Sequence, residues 1–211
     1  VDGPALHVGA RSQVLDRSVE DRRTWRERLG AVGYVGADLE PGPNVDAVFD
    51  VTWPMERIAA ALAPREAVFG TVLALHLLEH VRDPFAAARN LAALVAPGGH
   101  LFVQVPWVQA FHPFPDDYWR ISLSGLLVLF EGLEPVDAFY SGGSSDVAFR
   151  ITRGGRPAFD REVRHAEASL FQVVLEREAN VRFLRGAGKR AALSRAYLPL
   201  TVVNFLARRS R

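Results

Sequence analysis

Cysteine is absent from the 211 residues. That excludes disulfide scaffolds, thiolate zinc sites, iron–sulfur clusters and cysteine nucleophiles. Lysine is nearly absent as well: Lys189 stands alone among 25 basic residues. This reads as coding composition, so the many arginines make no nucleic-acid signature. Long apolar runs are missing too. The stretch from Tyr197 to Ala207 is interrupted by Pro199 and Asn204 and is shorter than the ~20 residues that cross a bilayer. No basic segment leading into an apolar run opens the chain. A cytoplasmic location without a membrane span is the resulting expectation.

What is present is globular composition, 49% hydrophobic and 23% charged. The chain is long enough to bury a sizeable core as one domain with an appendage. A net charge of +1 conceals an asymmetry: residues 1–149 carry 11 basic and 19 acidic side chains, and residues 150–211 carry 14 and 5. An acidic body repels phosphates, which argues against a nucleic-acid partner.

Along the chain, short apolar runs alternate with helical patterns. Strands are expected at 4–8, 31–37, 45–49, 67–75 and 100–105, with helices over 54–62, 83–95 and 122–130. Asp83 followed by Pro84 is a helix start, an acceptor at the cap and a fixed φ in the first turn. The run from Ala67 to Leu75 is apolar on both faces, as in a buried parallel strand. Strand stretches at 136–140 and 146–151, separated by Gly142-Gly143, predict a hairpin. The alternation implies a doubly wound, mostly parallel, seven-stranded α/β sheet with helices on both faces. Residues 1–152 form that domain, and residues 153–211 are expected to be a basic helical extension. In it Phe171, Val174, Leu175, Val181 and Leu184 fall on one helical stripe. The stripe is read as packing on the domain or on a second copy of the chain, with a membrane surface or another partner as the alternative.

In such sheets ligands bind beyond the carboxyl ends of the strands, where the strand order reverses. Gly9, Ala10, Arg11 and Ser12 follow the first strand, Asp38 the second, Asp50 the third, and Leu75-His76 the fourth. An acid after the second strand is the usual ribose clamp, although strand-end aspartates also cap turns.

These residues carry a resemblance. Ala5-Leu6-His7-Val8-Gly9 looks like the first motif of class I S-adenosylmethionine-dependent methyltransferases. Tyr34-Val35-Gly36-Ala37-Asp38 is similar to their second motif, and Val45-Asp46-Ala47-Val48-Phe49-Asp50 to their third. Leu77-Leu78-Glu79-His80-Val81-Arg82-Asp83-Pro84 resembles the "LEHxxDP" turn of the type 11 group. Leu94-Val95-Ala96-Pro97-Gly98-Gly99 resembles its "VLxPGG" turn, and Asp117-Tyr118-Trp119-Arg120 a "DYWR" element. The resemblance spans about residues 4–152.

It implies S-adenosylmethionine as cofactor and a small molecule or glycan as acceptor, methylated at oxygen. Gly9, Ala10 and Arg11 would meet the methionine end, Asp38 and Leu39 the ribose, Asp50 and Val51 the adenine, and Leu75 and His76 the sulfonium side. His112 and Asp117, in an aromatic loop, are the acid–base candidates. Asp117 is equally read as a partner that locks the loop through Arg120, and His80 as a histidine that hydrogen-bonds its turn. No metal site is expected. The family pattern is departed from at His7, Ala10, Arg11 and Gly70. Those departures motivate the alternative reading, a methyltransferase-like binding or scaffolding subunit without catalysis.

Overall fold

The structure is a computed structural model that describes residues 3–11, 24–65, 68–109, 111–112, 115–142, 148–150 and 201–211. Eight strands form one sheet: β1 (Ala5–Val8), β2 (Tyr34–Asp38), β3 (Ala47–Val48), β4 (Phe69–Leu75), β5 (Val95–Val108), β6 (Glu134–Gly142), β7 (Ala148–Arg150) and β8 (Thr201–Arg208). Their order is β3-β2-β1-β4-β5-β8-β6-β7. Strands β1 to β5 are parallel. Strand β8 is antiparallel to both β5 and β6, and β6 pairs with β7 as the expected hairpin. The helices are α1 (Trp25–Leu29), α2 (Met55–Leu62), α3 (Pro84–Leu94) and α4 (Leu123–Leu129). The expected doubly wound sheet is therefore present.

All four residues of β1 and nearly all of β4 are buried. Strands covered on both faces have no solvent side, so they do not alternate. Helix α3 starts as its sequence predicts: Asp83 Oδ1 accepts from Ala86 N at 2.9 Å, and Pro84 opens the first turn. It buries Ala87, Ala88, Leu91 and Leu94. Ser122 caps α4 in the same way through Gly125 N. Helix α1 buries nothing. It is held by Arg26, whose guanidinium binds Asn44 and Asp46 in the β2–β3 loop. That loop passes so close to β2 that a Cβ on Gly36 would lie 1.9 Å from Asn44 O, which only glycine avoids.

Two expectations change. The sheet has eight strands among the described residues, not seven, and residues 201–208 are the added strand rather than part of a helical extension. Val202, Val203, Phe205 and Ala207 are buried on both faces of β8. A short run that is apolar all round suits an inner strand better than an amphipathic helix. Asn204 interrupts the run but is itself fully buried. Its Oδ1 accepts from Gln104 Nε2 on β5 at 2.6 Å, and its Nδ2 donates to Phe139 O on β6 at 3.2 Å. The Pro97-Gly98-Gly99 turn is tied to the residue after β8, with Gly98 N donating to Arg209 O and Arg209 N to Gly99 O. The expected stripe from Phe171 to Leu184, like Ser12, lies outside the described residues.

His7 is the polar exception in β1. It is fully buried, its Nδ1 lies 2.8 Å from the Tyr34 hydroxyl, and its Nε2 has no hydrogen-bond partner. Burial pushes its pKa down to about 4 and pushes that of Tyr34 up to about 12. The folded protein thus keeps His7 neutral, whereas the unfolded chain protonates it below about 6.5. Its contribution to stability is intact above that pH and is lost as pH falls from 6.5 towards 4. At about 1.4 kcal/mol per tenfold change, the loss approaches roughly 3 kcal/mol. Urea unfolding at pH 7, 5 and 4 should show a smaller acid loss for His7→Leu than for the parent. Equal losses in the two proteins would refute this account.

Candidate active site

The strand order reverses between β1 and β4, and the carboxyl ends of β1 to β4 stand side by side there. Gly9 makes the turn after β1 at φ +84°, a conformation that costs other residues a steric penalty. Gly9 N and Ala10 N both donate to Ala37 O, at 2.8 and 3.0 Å. Ala10 is fully buried, its methyl near the place a side chain on Gly36 would occupy. Arg11 N donates to Asp38 Oδ2 at 3.1 Å. The Arg11 side chain turns along the β2–β3 loop, pairing with Glu40 and lying over Gly42.

The two strand-end acids both organise turns. Asp38 Oδ1 accepts from Glu40 N at 3.4 Å. Asp50 Oδ1 accepts from Thr52 N and Thr52 Oγ1, at 2.8 and 2.7 Å. A carboxylate oxygen has two lone pairs, so both residues keep acceptor capacity. Leu39 is exposed, whereas Val51 and Leu75 are buried. Asn90 on α3 donates to Val51 O and Trp53 O, fixing the loop after β3.

After β4, His76 takes φ +51°, unusual for a residue with a side chain. Its backbone N donates to Gln104 O at 2.9 Å, which holds it there. A single turn, Leu78–His80, follows. It anchors the aromatic loop: Glu79 O accepts from Tyr118 N and Trp119 N, Val81 O accepts from Trp119 Nε1, and His80 Nδ1 donates to Asp116 O at 2.5 Å. The His80 side chain therefore bonds the aromatic loop rather than its own turn.

Asp117, whose side chain is 1% exposed, is gripped by Arg120 through two bonds, Nη1 to Oδ1 at 2.5 Å and Nη2 to Oδ2 at 2.7 Å. Its Oδ2 also accepts from His112 N at 3.0 Å and lies 3.2 Å from His112 Nδ1. The Arg120 hydrogen bonds outweigh burial and hold the Asp117 carboxyl well below the usual range. Asp117 is thus ionised throughout the physiological range. The His80 and His112 rings meet edge to face at 5.0 Å. Phe111, Tyr118 and Trp119 of the same loop are exposed.

The structure therefore sets Gly9, Arg11, Asp38, Asp50 and His76 at the carboxyl edge. It links His112 and Asp117 to the end of β4 through the Glu79–His80 turn. The motifs above assign Glu79 no role. It is fully buried, and both its carboxylate oxygens lack a hydrogen-bond partner. The available signal was an acid between two histidines, directly after two leucines.

The family described as "Methyltransferase domain" matches residues 13–130, more than half of the chain. The chain belongs to this methyltransferase family. The methyltransferase is 53% identical over 66 residues to a ubiquinone biosynthesis O-methyltransferase of Ralstonia nicotianae, 30% of this chain and 24% of that one. It is 38% identical over 52 residues to one of Vibrio vulnificus, 25% of this chain and 22% of that one. These matches span about a quarter of the curated relatives' length. A SAM-dependent methyltransferase structure from Archaeoglobus fulgidus superposes with a TM-score of 0.53 at 13% identity, covering 99% of this chain and 86% of that one. A methyltransferase structure from Bacillus halodurans gives 0.53 at 12% identity, covering 100% and 94%. The structural matches establish the shared fold. Among the described residues, no helix is long and apolar enough to cross a membrane.

The Asp117–Arg120 pair yields a stability test. Arg120→Ala removes the main charge partner of a buried carboxylate that keeps its His112 contacts, and removing one partner of such a pair costs about 3–5 kcal/mol. Urea denaturation should show a loss near the lower end, because the Arg120 side chain is 28% exposed. Adding Asp117→Asn should recover part of it. A loss below about 1 kcal/mol would mean that the pair behaves as a surface one.

Proposed function

We propose that this methyltransferase methylates an oxygen atom of a small molecule or glycan. His112 takes up the acceptor's proton, and Asp117 orients His112. The observation that carries the proposal is the imidazole of His112 held against an ionised, Arg120-bound carboxylate in a loop clamped to the end of β4. The methyl donor is S-adenosylmethionine. When bound, it supplies a methyl group made electrophilic by its sulfonium.

The residues present fit that cofactor. The Gly9 turn leaves backbone without a side chain at the switch point, and Asp38 and Asp50 offer acceptors for ribose hydroxyls and an adenine amino group. Leu39 and Val51 flank those acids, and Ala10 takes part only through its backbone. Leu75 and His76 close the side next to β4, and the path of Arg11 towards Glu40 adds a cation beside Asp38.

The acceptor side follows from the aromatic loop. A carboxylate facing Nδ1 holds the hydrogen on that nitrogen, which leaves Nε2 as the proton acceptor. His112 Nε2 would take the proton of the acceptor's O–H bond as the oxygen bonds the methyl carbon and the bond from that carbon to the sulfonium sulfur breaks, with S-adenosylhomocysteine leaving. Exposed Tyr118 and Trp119 provide flat faces for a ring-shaped acceptor. The O-methyltransferase relatives support oxygen as the target.

Calorimetric titration with S-adenosylmethionine and S-adenosylhomocysteine tests the cofactor site. Micromolar binding, about −8 kcal/mol, is expected for the parent, and Asp38→Ala should weaken it at least tenfold. Unchanged binding by Asp38→Ala would remove the ribose assignment. With an acceptor found by screening, His112→Ala should lower kcat by about 10²–10⁴-fold while leaving cofactor affinity intact. Full turnover by His112→Ala would end the proton-acceptor role.

A further inference from the structure

We propose that Asn90 on α3 is a positioning residue that makes the cofactor site selective for an amino-purine over an oxo-purine. It acts through the loop after β3, residues 50–53, to which it is bound at two points. The proposal rests on the reading above, in which Asp50 and Val51 meet the adenine.

The loop is a tight turn closed from within. Trp53 N donates to Asp50 O at 3.0 Å. Asp50 Oδ1 accepts from Thr52 N and Thr52 Oγ1 at 2.8 and 2.7 Å. Two donors fill the two lone pairs of Oδ1, so Oδ2 is the oxygen left to accept from a ligand. The peptide between Asp50 and Val51 is trans and planar, so Val51 N–H points opposite to Asp50 O. Asp50 O faces into the turn, and the N–H therefore faces out of it. Among the described residues that N–H donates to no group. An acceptor on Asp50 and a donor on Val51 thus stand on successive residues.

Asn90 supports the turn from outside. Its Nδ2 donates one hydrogen to Val51 O at 2.7 Å and the other to Trp53 O at 2.8 Å. Both partners are carbonyls, which only accept, so chemistry fixes the orientation of the carboxamide. Asn90 belongs to α3, which buries Ala87, Leu91 and Leu94. A loop tied to a packed helix is held more precisely than one tied to another loop. Helix α2 begins directly after the turn. Its Arg57 lies over the Trp53 ring, 3.3 Å from the centroid. The turn is thereby held at Val51 and Trp53 from α3, and at Trp53 again from α2.

An amino-purine presents an N–H donor on its exocyclic nitrogen and an acceptor on the adjacent ring nitrogen. An oxo-purine presents an acceptor and a donor in the same two places. The Asp50–Val51 pair complements the first and opposes the second. Opposed groups go unpaired, and a site rejects such a ligand by orders of magnitude provided that it cannot shift to relieve the mismatch. Asn90 prevents the shift. With Val51 O and Trp53 O both held, the turn cannot swing away from a mismatched base.

The test is calorimetric titration of the full chain with S-adenosylhomocysteine and with its deaminated analogue, S-inosylhomocysteine, which differs only at the purine edge. The parent should bind the amino form at least about 100-fold more tightly. Asn90→Ala should cut that ratio to about tenfold or less. Asp38→Ala, on the ribose side, should weaken both ligands alike and keep the parent's ratio. A general loosening of the fold does not choose between two purines, so the ratio separates positioning from stability. If circular dichroism shows Asn90→Ala unfolded, Asn90→Gln carries the test with the same expectation, because it keeps the carboxamide but sets it one methylene further out. An unchanged ratio in the folded variant would overturn the role of Asn90. Equal binding of the two ligands by the parent would overturn the selectivity while leaving the cofactor site in place. No binding of S-adenosylhomocysteine by the folded parent would remove the cofactor reading itself, and this proposal with it.

Discussion

A strand covered on both faces can hold no group that needs water, and the centre of this sheet obeys that constraint throughout. Strands β1, β4 and β8 bury few polar side chains, and two of these have arrangements of their own. His7 remains neutral against Tyr34. Asn204 bridges β5 and β6. Polar chemistry is thereby displaced to the strand ends, where Asp38, Asp50 and His76 stand. The dry sheet and the polar edge are two results of the same packing rule.

The aromatic loop is built differently. No regular element carries His112. Order is imposed from the Leu78–His80 turn, which receives two backbone hydrogen bonds from the loop and donates one to it through His80. Arg120 adds a charged clamp that reaches Asp117, Gln109 O and Trp119 O. The turn after β4 therefore couples the carboxyl edge of the sheet to the loop by main-chain bonds.

Much of the fold was legible in the sequence because its signals are local. The Asp83-Pro84 cap, the two-sided run of β4 and the glycine turn after β1 each declare themselves within a few residues. Residues 201–208 did not. Their role as an inner strand depends on β5 and β6, distant in sequence, and the upstream helical pattern drew the short apolar run into the wrong element. In the site, the strand-end acids and the pairing of Asp117 with Arg120 could be read from motif and spacing. Glu79 could not, since its burial and its missing hydrogen bonds are properties of the packed molecule. The approach of His112 to His80 likewise arises only when the loop folds back across the turn.

The place of β8 has a consequence for how the chain is made. Strand β5 has β4 on one side from early in synthesis, but its other neighbour is β8. Until residues 201–208 leave the ribosome, β5 and β6 both present open edges, and β6 has no bridge to the parallel half of the sheet. An unpaired inner edge invites pairing with other chains. The nascent protein is therefore most exposed to aggregation after β1 to β6 have been synthesised and before the sheet can close, which makes that interval the natural point of action for a chaperone.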